Sequence, residues 1–127
     1  MIHGYKELIV WQKAMDLVTE VYTVTEQFPR EELFGLTSQL RRAAISIASN
    51  IAEGRSRGTK NDYLHFLRTS YSSGAEVETQ IEIGKRLNKT KNLNYTKVDK
   101  LLTDVMKMLY VMIRNLNPNQ LQTSRSS

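Results

Sequence analysis

The sequence predicts an all-α fold, an antiparallel up-down-up-down bundle of four helices. Three observations lead there. Apolar residues recur at spacings of three and four in four separate segments, which is the period of a helix facing a core and not the alternation of a strand. Proline, glycine and hydroxyl–carboxylate pairs fall between those segments as stops and starts. The connections are short, which favours antiparallel neighbours over long crossovers.

The first helix is read from about residue 7 to residue 27, with Leu8, Trp11, Met15, Val18, Tyr22 and the methyl-bearing Thr25 as its core-facing seam. Phe28-Pro29 stops it, because proline lacks an amide hydrogen and biases its predecessor away from helical geometry. The second helix uses Leu33, Leu36, Leu40, Ala43, Ile47 and Ile51. Gly35 leaves open a break between a short first turn over residues 30–34 and the main helix. Gly54 is read as the left-handed C-cap, which makes residues 55–58 a connector.

Thr59-Lys60-Asn61-Asp62 sets a hydroxyl three residues before a carboxylate, a capping-box-like start, and Thr96-Lys97-Val98-Asp99 repeats the arrangement. The third helix follows with Tyr63, Leu64, Leu67, Tyr71, Ala75, Ile81 and Leu87, and fades in the polar loop over residues 88–92. The fourth uses Val98, Leu101, Leu102, Val105, Leu109, Met112, Ile113 and Leu116, and stops at Asn117-Pro118. Residues 1–118 thus read as one bundle domain. Residues 119–127 carry one apolar side chain, too little to offset the entropy of ordering, and are expected to be a disordered tail.

The middle helices are rich in small side chains: Ala43, Ala44, Ser46, Ala48, Ser49 and Ala52 in one, Ser70, Ser72, Ser73, Gly74 and Ala75 in the other. Glycine inside a helix costs about 1 kcal/mol relative to alanine. A close approach of two backbones, within the bundle or between subunits, is the compensation this texture implies. Helix four also has more apolar positions, among them Met106, Met108, Tyr110, Val111 and Met112, than one face can bury, which predicts self-association.

Composition narrows the function. The chain has no cysteine, which removes disulfides, thiolate metal sites and cysteine nucleophiles together and suits a reducing cytoplasm. No stretch approaches the roughly 18 apolar residues of a membrane span, and the first residues lack the pattern of a signal peptide, so a soluble, unprocessed protein is expected. His3 and His65 are the only histidines, and neither has a second at metal-ligand spacing. Neither a phosphate loop nor a Gly-x-Ser-x-Gly elbow occurs. Glu82 and Arg86 read as a helix-surface ion pair, and Glu76 as a solvated side chain. No cofactor, metal or catalytic residue is assigned, and the chain is expected not to be an enzyme.

The net charge of +5 comes from 18 basic and 13 acidic residues, and the basic excess lies after the first helix. Arg55, Arg57 and Lys60 gather where helix two meets helix three. The start of a helix offers free amides and a favourable dipole, so these three are the leading candidates for phosphate contact. Arg41, Arg42, Lys85 and Arg86 are secondary candidates. Alternate ends of the bundle receive the two basic zones. The other reading of each is a solvated surface.

The run from Phe28-Pro29 to Glu31, then Gly35-Leu36-Thr37-Ser38-Gln39-Leu40-Arg41-Arg42-Ala43-Ala44, Ser46-Ile47, Asn50-Ile51-Ala52-Glu53-Gly54, Arg57 and Phe66-Leu67, resembles the 23S ribosomal RNA intervening-sequence protein family. Tyr5-Lys6-Glu7-Leu8-Ile9-Val10-Trp11-Gln12-Lys13-Ala14 resembles that family's opening. Two departures, His3-Gly4-Tyr5 where Phe is common and Ala48 where Pro is common, leave the bundle reading intact. The resemblance implies a four-helix bundle that assembles as a ring-like homopentamer. It also implies kinship with the accessory protein of diversity-generating retroelements, which binds a reverse transcriptase and nucleic acid. Gln39, Arg42, Asn50 and Glu53 match the family pattern and are assigned to a structural polar network fixing helix pairing or a subunit interface; direct ligand contact is the alternative.

The expectation is therefore a non-enzymatic, homo-oligomeric, basic binding protein associated with structured RNA or an RNA/DNA duplex. The alternative is a scaffold that docks a protein such as a reverse transcriptase and makes no nucleic-acid contact of its own.

Overall fold

A computed structural model describes residues 4–117. The expectations about His3, Pro118 and the tail lie outside the described residues. The described residues form four α-helices: α1 (Ile9–Thr25), α2 (Ser38–Arg57), α3 (Lys60–Arg86) and α4 (Thr96–Leu116). Each packs on its chain neighbours, and α1 closes the ring against α4. This is the four-helix bundle expected from the sequence, with no strand among the described residues.

One core runs the length of the bundle. Leu17, Leu40, Ile47, Ile51, Leu67, Val98, Val105 and Leu109 are sealed from solvent within it. Burying an aliphatic side chain of this size contributes about 1.5–3 kcal/mol, so these residues supply the main drive to fold.

The seam of α1 differs from the expected one. The buried face is Val10, Ala14, Leu17, Val21 and Val24, while Met15 and Tyr22 are exposed and Leu8, Trp11 and Val18 are half-buried at the edge. Both stripes have helical spacing. The one with smaller side chains faces the core, leaving Trp11 half-buried and Tyr22 exposed at the rim. A turn of 3-10 helix over Tyr5–Glu7 precedes α1, so the continuous helix begins two residues later than expected.

Between α1 and α2 the chain makes a 3-10 turn (Arg30–Glu32) and then a wide π-type turn (Leu33–Thr37). Gly35 is non-helical there, with φ −114° and ψ −110°, and Glu32 Oε1 accepts a hydrogen bond from the Leu36 amide at 3.2 Å. The break that Gly35 left open is real, and the main helix starts at Ser38.

The far end of α2 corrects the sequence reading. The helix runs through Gly54 to Arg57, and Gly58, at φ 87°, is the left-handed cap. Gly54 serves a different need: a Cβ placed on it would lie 2.7 Å from the Phe66 Cβ of α3. The expected connector is therefore the last helical turn. At α3 the reading holds, since Thr59 Oγ1 accepts from the Asp62 amide at 3.1 Å. At α4 it does not. Thr96 is the first helical residue and its amide donates to Asn94 Oδ1 at 3.0 Å, while Asp99 turns to Lys85.

The small residues of α2 and α3 meet inside the bundle. Ser46 and Ser73 share a 2.8 Å hydrogen bond, buried Ser70 donates to the Ile47 carbonyl at 2.8 Å, and Asn50 Nδ2 donates to the carbonyl and hydroxyl of Ser46. Gly74 faces α4, where the Met106 thioether covers it. Ala75 and Leu87, expected in the α3 seam, are exposed. The opposite end closes on Gly84, against which Tyr95 and Phe28 pack.

Candidate functional site

The antiparallel course of the helices sorts the candidate cations by end. Helix α3 starts beside the end of α2 and finishes beside the start of α4, so Arg55, Arg57 and Lys60 share one end and Lys85 and Arg86 occupy the other. The ends differ in how their charge is met.

At the α3/α4 end, carboxylates face four of the cations, while Lys91 is exposed with no carboxylate partner among the described residues. Lys85 lies 2.7 Å from Asp99, Arg86 3.6 Å from Glu82, Lys89 2.6 Å from Glu31 and Lys97 3.9 Å from Glu20. The Lys89 ammonium, by donating to Glu31, holds that carboxyl below its ordinary pKa. Lys85 also approaches the Tyr95 ring at 5.9 Å. Charges met in this way present little net field to a polyanion.

At the α2/α3 end, Arg55, Arg57 and Lys60 are all exposed. Arg57 Nε donates to Glu53 Oε2 at 2.8 Å, and its guanidinium sits 5.1 Å from the centre of the Phe66 ring. Lys60 has no carboxylate partner among the described residues. Arg55 lies close enough to Tyr63 to oppose the upward push that burial gives the phenol's pKa. The end of α2 is pinned through Gly54 on Phe66, and the Gly58 cap turns the chain directly into α3. Arg55 and Arg57 thus lie in the last turn of α2 and Lys60 in the first turn of the 27-residue α3.

The secondary candidates on α2 sit elsewhere. Arg41 Nε donates to Thr25 Oγ1 at 2.9 Å, and its guanidinium covers the Tyr22 ring at 4.3 Å. Arg42 is exposed and has no carboxylate partner among the described residues. Neither Arg41 nor Arg42 joins the basic end.

The expected polar network is divided. Asn50 bonds to Ser46, whereas Glu53 is half-exposed and pairs with Arg57. Gln39 and Arg42 bond to neither; they line a polar cleft of about 240 Å³ with Ser46, Glu76 and Gln80. The four lie along one face of α2, but the hydrogen bonds to α3 join a different set: Asn50 bonds Ser46, Ser46 bonds Ser73, and Ser70 bonds the Ile47 carbonyl. Within the cleft Gln80 Oε1 is buried without a donor among the described residues.

A surface that sequence reasoning missed lies at the turn before α2. Phe34 is 92% exposed, beside Leu33, Tyr22 and Ile45, all of them exposed as well. Together with Thr37, Ser38, Arg41 and Arg42 they line a groove of about 460 Å³. The available signal was an aromatic residue immediately before a helix-breaking glycine. A second groove, between α1 and α4, is lined by Leu8, Ile9, Val10, Lys107, Met108, Val111 and Met112.

The described residues contain no group of three or more His, Cys, Asp or Glu placed to hold a metal ion, and no helix long and apolar enough to cross a membrane. His65 is exposed, its ring edge against Phe66.

Fold and surfaces together define a small four-helix-bundle protein with exposed cations at both ends and exposed apolar grooves. Residues 6–111 match the 23S rRNA-intervening sequence protein family, and the chain belongs to it. No curated protein matches the chain.

Proposed function

We propose that the chain is a non-enzymatic, homo-oligomeric binding protein of the cytoplasm that associates with nucleic acid through the α2/α3 end of its bundle. The observation that carries this reading is the gathering of three exposed cations beside the start of a long helix. Arg55 and Arg57 lie in the last turn of α2, Arg57 paired with Glu53, and Lys60 lies in the first turn of α3. Phosphates at that end would meet guanidinium and ammonium groups together with the positive pole of a long helix. Structured RNA or an RNA/DNA duplex suits the site, because one exposed cluster reads backbone charge and has no stacking platform for separated bases.

Self-association is the second part of the proposal. In the α1/α4 groove Ile9 is 57% and Val111 40% exposed, and no carboxylate interrupts its lining. An apolar surface of this kind is covered most simply by a second copy, and repetition of the chain would multiply the basic ends available to one polyanion.

Titration of labelled structured RNA at several salt concentrations tests the proposal. Affinity should fall steeply as salt rises, by the release of counterions from neutralised phosphates. Absence of binding at low salt would overturn it.

A further inference from the structure

Phe34 is the most exposed large apolar side chain among the described residues, and the turn that carries it is tied by side-chain contacts. Glu32 caps the turn through the Leu36 amide, Gly35 supplies the non-helical step, and the Lys89–Glu31 ion pair fastens the preceding turn to the α3/α4 loop. The ring projects outward from this turn. Water is a poor neighbour for an aromatic face, so a side chain fixed in this position indicates an occupant.

The groove around Phe34 says what the occupant is. Leu33, Tyr22 and Ile45 give it an aliphatic and aromatic floor, Arg41 and Arg42 stand on its rim, and its lining contains no carboxylate. An aromatic anchor ringed by arginine is the composition of an interface hot spot. We propose that this surface docks a separate protein through a segment that pairs apolar side chains with acidic ones, the apolar residues lying on Phe34 and the carboxylates on Arg41 and Arg42.

Two other occupants fit less well. A single strand of nucleic acid would need successive ring faces, yet Tyr22 is already covered by Arg41 at 4.3 Å, and Leu33 and Ile45 offer no stacking surface. A second copy could bring its α1/α4 groove, but that groove carries Lys107 and no acid, so like charges would meet. The occupant is accordingly a separate protein and not the nucleic acid of the α2/α3 end, with a second copy kept as an outcome of the test, and the inference stands or falls apart from that proposed function.

The test uses the full chain labelled with nitrogen-15 and two helix-forming synthetic peptides. One carries Leu and Phe on one face flanked by Glu; the other is identical with Lys in place of every Glu. Amide resonances around Tyr22, Phe34, Arg41 and Ile45 should shift with the acidic peptide alone. Phe34→Ala should weaken that binding by about ten-fold or more, with melting temperature and RNA binding unchanged because the ring supports no core contact. Arg42→Glu should shift preference towards the basic peptide. The inference is overturned if neither peptide moves these resonances, if both do so equally, if oligothymidine moves them instead, or if Phe34→Ala lowers the oligomer mass.

Discussion

Gly54 of α2 and Phe66 of α3 touch so closely that a methyl group on the glycine would lie 2.7 Å from the phenylalanine Cβ. The contact fixes the approach of the two helices beside Arg55, Arg57 and Lys60. Since a Cβ cannot swing aside, Gly54→Ala should force the helices apart and destabilise the fold by about 1–3 kcal/mol, despite the gain in helix propensity. Gly74→Ala should cost less, because the obstacle there is the flexible Met106 thioether. Urea denaturation of the two variants measures the difference.

Ser46 and Ser73 hold the same helix pair at mid-length. A double-mutant cycle with Ser46→Ala and Ser73→Ala should return a coupling energy of about 0.5–1.5 kcal/mol, the usual worth of a hydrogen bond removed from water. Additive effects would show that the hydroxyls do not support each other.

Asp104 of α4 ties three charges together. It accepts from Lys13 of α1 at 3.1 Å and from Lys100 at 2.8 Å, and these hydrogen bonds, Lys100 foremost, lower its pKa from the ordinary 3.8. A depressed carboxylate stabilises the fold above its unfolded pKa and stops doing so as pH falls through its folded value. Asp104→Asn should therefore be less stable than the parent at neutral pH, and the gap should close in acid below about pH 4. Thermal melts across that range decide it; a gap independent of pH would mean that the charge is not involved.

Ile9 and Val111 flank the α1/α4 groove without taking part in the sealed core. Replacing both by aspartate should reduce the mass found by light scattering to the 14.6 kDa of one chain while leaving helical circular dichroism intact. A parent chain that is already monomeric at micromolar concentration would remove the self-association proposal.

The number, order and type of the helices were legible in the sequence because periodicity, Pro29 and the Thr59 cap all act locally. What was not legible depended on partners in space. Helix α1 has two apolar stripes, and choosing between Val10-Ala14-Leu17-Val21 and Trp11-Met15-Val18-Tyr22 requires knowing which face the other helices cover. Gly54 and Gly58 look alike in sequence; one accommodates Phe66 and the other adopts a positive φ. The basic zones were both visible, but the carboxylates that meet the second one come from elsewhere in the chain, such as Glu31 opposite Lys89 and Asp99 opposite Lys85. Phe34 was assigned to an ordinary turn because nothing local shows that its ring points away from the core.

The most direct measurement compares structured-RNA affinity, as a function of salt, for two charge-reversed proteins: Arg55→Glu with Lys60→Glu at one end, and Lys85→Glu with Arg86→Glu at the other. The first pair should abolish binding or flatten its salt dependence, while the second should leave both close to the parent. Equal losses from the two pairs, or none from the first, would contradict a polyanion site at the α2/α3 end.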